Sequence, residues 1–129
     1  MDDERGAPTS SGRSGAEGGP LTRIVLRDQS DADGFRSLTI IRGPDGSIVI
    51  DGHDLGPGVE RIFGFREYEW TWNIEADAVS AAVAALDGHE GDDPLRLLAA
   101  WSSAHDGIDP GTHLDEAGVP IRFWSWIGE

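Results

Sequence analysis

Apolar and polar side chains alternate without a break from Glu67 to Ile74. Tyr68, Trp70, Trp72 and Ile74 fall on one face; Glu67, Glu69, Thr71 and Asn73 fall on the other. A period of two sustained over this stretch predicts a strand with one buried face. The same pattern, more weakly, predicts strands over Leu21–Arg27, Phe35–Arg42 and Ser47–Asp51. Gly43-Pro44-Asp45-Gly46 separates the last two, and Pro before Asp-Gly is a strong turn signal, so they read as a hairpin. Asp28–Gly34 is polar and reads as a loop, as does the Gly-rich stretch 52–58.

The period then changes. Val59, Ile62 and Phe63 have helical spacing ahead of Gly64, predicting a short helix from Pro57 or Gly58 to Phe63. Glu75–Leu86 predicts a longer one, with Val79, Val83 and Leu86 on one stripe and Asp87-Gly88 ending it. Asp92 or Asp93 is placed to cap a second main helix that starts at Pro94 and ends near His105. Asp106–Gly118 is turn-rich, with one helical turn at Thr112–Ala117. Val119–Ile127 predicts a last strand, with Ile121, Phe123, Ser125 and Ile127 on one face and Arg122, Trp124 and Trp126 on the other. Both of its faces carry large groups, so both are expected to be covered. The sum is an α+β domain: a mostly antiparallel sheet of about five strands, with two main helices packed on one face as a two-layer sandwich.

Residues 1–20 hold no large apolar side chain after Met1 and are expected to form a disordered tail rich in Gly, Ser, Pro and acid, leaving 21–129 as a single domain. The chain of 129 residues suits one core. Its acidic start, Met1-Asp2-Asp3-Glu4, lacks an apolar h-region, and no apolar run approaches the length of a membrane span, so a cytoplasmic location is expected.

The net charge of −14 changes the functional picture most. It disfavours nucleic acid and anionic membrane as partners, because both are bound through clustered cations. All basic residues are Arg, so a Walker phosphate loop is excluded, and the absence of Cys excludes disulfides, thiolate metal sites and cysteine nucleophiles. Asp31-Ala32-Asp33-Gly34 does not extend into a calcium loop, because Gln29 and Ile40 occupy its first and twelfth positions. Ser102, Ser103, His105 and Asp106 have the residue types of a hydrolase triad, but are chain neighbours without a Gly-x-Ser-x-Gly elbow.

Two clusters carry candidate chemistry. Asp51-Gly52-His53-Asp54 brings carboxylates and an imidazole to a strand exit, and Asp51, His53 and Asp54 are candidate ligands for a divalent metal. The alternative is an ordinary exit loop in which Asp54 caps the next helix. Glu67-Tyr68-Glu69-Trp70-Thr71-Trp72 combines acids with aromatics; Trp70 and Trp72 are assigned to the core, while Trp124 and Trp126 are the better candidates for a surface patch.

Asp51-Gly52-His53-Asp54-Leu55-Gly56-Pro57-Gly58-Val59-Glu60, followed by Glu67-Tyr68-Glu69-Trp70, resembles a motif pair in uncharacterised small acidic proteins of GC-rich Gram-positive bacteria, D-G-x-D-L-G-x-x-V-E and then E-Y-E-W. The resemblance covers about residues 38–86 and implies no catalytic residues. It marks Asp54, Gly56, Glu60, Tyr68 and Glu69 as recurring positions. In size, acidity and Trp content the chain is also similar in style to immunity proteins that neutralise bacterial toxins.

Three readings follow. The first is a non-catalytic binding protein that engages a basic protein partner, with Asp54, Glu60, Glu67, Tyr68, Glu69, Trp124 and Trp126 as candidate contacts. The second is a metal-dependent or carboxylate/His-based small enzyme, or a metal-binding protein, built on Asp51, His53 and Asp54 with Glu60, Glu67 or Glu69 as further contributors. The third is a homo-oligomeric structural module, such as a homodimer, in which Trp124 and Trp126 pair across a two-fold axis. The first, binding without catalysis or cofactor, is the one the charge favours.

Overall fold

The computed structural model describes residues 22–128. Strands Arg23–Asp31 (β1), Gly34–Arg42 (β2), Ile48–Leu55 (β3), Glu67–Ile74 (β4) and Arg122–Gly128 (β5) form one antiparallel sheet in sequential order. Pro57–Phe63 (α1) joins β3 to β4. A 3-10 turn at Ala76–Ala78 leads into Val79–Ala85 (α2), followed by Pro94–Ala104 (α3) and Pro110–Glu116 (α4). The fold is α+β, as expected.

The core lies on one sheet face. Leu38, Ile40, Ile48, Ile50, Trp70, Trp72 and Ile74 pack against Ala78, Ala82, Leu95, Leu98 and Leu114 from the helical layer. Every strand residue in that set has the same parity in the cross-strand register, so α2, α3 and α4 cover one face and leave the other open. At ~25 cal/mol per Å² of apolar surface, burial of each Leu or Ile side chain in that set stabilises the fold by about 1.5–3 kcal/mol.

The caps follow chemistry readable in the sequence. Asp93 accepts from Leu95 N at the start of α3 and also binds Arg42 at 2.6 Å, tying the helix to β2. Asp109 repeats the same Asp-Pro start for α4, which therefore begins earlier than the expected Thr112. Gly64 ends α1 in the left-handed region at φ 79°.

Two expected loops are strand. β1 runs on through Asp28–Asp31 to a two-residue turn, because its pairing with β2 is made by the backbone and an edge strand there needs no apolar side chains. β3 continues through Gly52-His53-Asp54 to Leu55. Gly52 stands inside the strand because a Cβ there would lie 2.1 Å from the ring of Trp70, its directly paired neighbour on β4. The expected helix over Glu75–Leu86 is split into the 3-10 turn and α2. The expected tail, residues 1–20, lies outside the described residues.

Candidate functional site

Continuation of β3 as a strand decides the geometry of the Asp51–Asp54 cluster. Successive side chains point to opposite faces, so Asp51 and His53 stand on the open face, while Asp54 points to the face that carries the helices. The three proposed metal ligands therefore do not converge. Among the described residues no group of three His, Asp or Glu side chains is placed to hold a metal ion. Nor does Asp54 cap α1, whose first residue follows Gly56 with no side-chain cap.

The open face instead assembles residues from three strands. Asp51, Thr71 and Trp124 are directly paired across β3, β4 and β5; His53, Glu69 and Trp126 form the next row. The His53 ring donates from Nε2 to Glu67 Oε2 at 2.7 Å, which fixes its orientation, and Phe35 meets it edge-on. Partial burial, reinforced by the Glu69 charge, pushes the Asp51 carboxyl above its ordinary value; His53 opposes this. Beside these acids the indoles of Trp124 and Trp126 are about half exposed, at 51% and 46%.

That exposure corrects the expectation that both faces of the last strand are covered. Among the described residues β5 is an edge strand; α3 lies against β1 and β2, and Gly111 of α4 packs on Trp72 of β4. Phe123 and Ile127 on the helix side are likewise exposed. Trp70 and Trp72, by contrast, are core residues, at 8% and 9% exposure.

Of the seven candidate contacts, Glu67, Glu69, Trp124 and Trp126 share the open face. Asp54 and Tyr68 pair with each other on the opposite face. Glu60 is on α1, bound to Arg66 at 3.0 Å. No family model, curated protein or solved structure matches the chain. The geometry of the two faces is therefore the only guide to its chemistry, apart from the charge.

On the helix side, Asp54 has one carboxylate oxygen buried with no hydrogen-bond partner. Burial pushes its carboxyl up, against the pull of Arg27, Arg36 and His53. Nearby, Tyr68 stacks on Trp70 with ring centroids 5.2 Å apart. Together with Trp72, Asp109, Thr112 and Phe123 these two rings line a hollow of about 230 Å³.

Asp109 went unrecognised in the sequence, and it organises this region. Its Oδ2 accepts from Trp70 Nε1 at 2.6 Å and from Trp72 Nε1 at 3.0 Å, while Oδ1 accepts from Gly111 N. One carboxylate thus satisfies two buried indoles and caps a helix. The available signal was Asp109-Pro110, the same dipeptide that starts α3.

Much of the segment from Asp51 to Glu60 serves packing. Gly56, at φ 116°, donates its N–H to Arg66 O at 2.7 Å and meets the backbone of Gly34, where any Cβ would clash. Gly58 N donates to Asp33 O, so the β1–β2 turn is fastened to the start of α1. No helix among the described residues is long and apolar enough to cross a membrane.

Proposed function

We propose that this protein acts by binding, without catalysis, and engages a basic protein partner through its open sheet face. The observation that carries this reading is the placement of two half-exposed indoles in the same rows as Asp51 and Glu69, with Glu67 on the same face. Indole rings supply a large, stiff apolar contact area, and Trp is enriched among residues that dominate binding energy. The acids beside them complement cationic side chains and repel acidic competitors. A net charge of −14 accelerates encounter with a cationic surface. Neutralisation of a basic toxin, in the manner of the immunity proteins the chain is similar to in style, is the sharpest form of the proposal.

The test is capture of partners by the full-length protein at low and high salt, followed by affinity measurement with each purified partner. The expected partner is basic, and its binding weakens as salt rises. Trp124→Ala combined with Trp126→Ala is expected to cost about 2 kcal/mol or more, roughly thirtyfold in Kd, with the thermal unfolding midpoint nearly unchanged. A partner bound equally well by the double variant, or with no dependence on salt, refutes the reading.

A further inference from the structure

The two edges of the sheet are built differently. β1 is protected in the usual ways: its register breaks at a bulge between Val25 and Arg27, and it carries Arg23, Arg27, Asp28 and Asp31. β5, Arg-Phe-Trp-Ser-Trp-Ile-Gly, pairs with β4 without a register break. It contains no acid, in a chain of net charge −14. Among the described residues no strand lies beside its outer backbone groups, and Phe123, Trp124, Trp126 and Ile127 are exposed on its two faces.

We propose that two copies of this chain join through β5, antiparallel about a two-fold axis at Ser125, making one ten-stranded sheet. Strand β5 is self-complementary in that register. Phe123 and Ile127 stand symmetrically about Ser125 on the helix side, and Trp124 and Trp126 do so on the open side. The two-fold places Phe123 opposite the partner's Ile127 and Trp124 opposite the partner's Trp126, so aromatic meets aromatic or aliphatic in the pairs that flank Ser125. Charge agrees. Like charge opposes association over most of this acidic surface, whereas β5 carries only Arg122. The two-fold sets Arg122 opposite the partner's Gly128, whose neighbour on β4 is the partner's Glu67, an opposite charge on the same face. A pairing shifted by one residue would oppose open-face to helix-face side chains and lose these matches. This inference does not depend on the proposed basic partner; in the paired sheet the acid-and-indole rows occur twice, side by side.

The chain has no Cys, so a single introduced thiol reports the register. Residues directly opposed in an antiparallel pair have Cα atoms about 4.5 or 5.5 Å apart, within the span a disulfide bridges. Sedimentation equilibrium of the full-length protein, from low micromolar concentration upward, is expected to show a monomer–dimer equilibrium. Under mild oxidation Ser125→Cys should form a covalent dimer at least about tenfold faster than the exposed control Ser103→Cys on α3, because pairing raises the effective concentration of the thiols. A monomer at every concentration overturns the proposal. So does a dimer in which Ser125→Cys cross-links no faster than the control, since that dimer uses another surface.

Discussion

The two faces of β3 and β4 are made from alternate residues of the same stretches of chain, yet they obey different rules. On the helix side each position is fixed by its neighbours: Ile50 is fully buried, Gly52 yields its side-chain space to Trp70, and both core indoles need Asp109. On the open side Asp51, His53, Glu67, Glu69 and Thr71 remain partly accessible, and no helix of the α2–α4 layer covers Trp124 or Trp126. The covered face specifies the fold. The open face is free to carry recognition, and adjacent residues such as His53 and Asp54 belong to different tasks.

Substitutions of neighbours on β3 test that division. The largest effect is expected for Ile50→Ala, at about 2–5 kcal/mol of unfolding free energy by urea denaturation. Asp51→Ala, one residue away on the open face, should stay within about 0.5 kcal/mol. Equal losses at the two positions would end the distinction. Gly52→Ala comes next, because a methyl group there overlaps the Trp70 ring; a loss of about 1–3 kcal/mol is expected, with a changed near-ultraviolet circular dichroism from the displaced indole.

The smallest effect is a pH dependence from Asp54. Its folded-state carboxyl titrates above the ordinary value of 3.8. The folded protein therefore binds this proton more tightly than the unfolded chain does. Its contribution is fully present below the unfolded pKa and is lost as pH rises through the raised folded one. Stability of the wild type relative to Asp54→Asn should accordingly increase as pH falls from neutral into the acid range, read from paired urea titrations. A difference that is flat or of opposite slope would mean that Arg27 and Arg36 outweigh the burial of this carboxylate.

What could be read in advance follows the same line. β4 was legible from end to end because its alternation is complete, and α3 because Asp93-Pro94 and the Leu95, Leu98 spacing agree. The continuation of β3 was not legible: Gly in mid-strand is required by a tryptophan on another strand, a constraint absent from the local pattern. The same holds for β1, whose polar half is held by backbone pairing alone. Within the candidate site, alternation placed Glu67 with Glu69 and Trp124 with Trp126. That the two pairs share a face depends on the β4–β5 register, which is set across the whole helical layer.

That interposed layer has a kinetic consequence. β1 to β4 are joined by short connections, so their pairing is local and early, whereas β5 reaches β4 only after α2, α3 and α4 have been traversed. Closing so long a segment is the costliest contact to form, and it comes late on the folding route. Until then Trp70 and Trp72 line an unfinished margin. A chain stalled at that stage is the species most prone to misassociate during refolding.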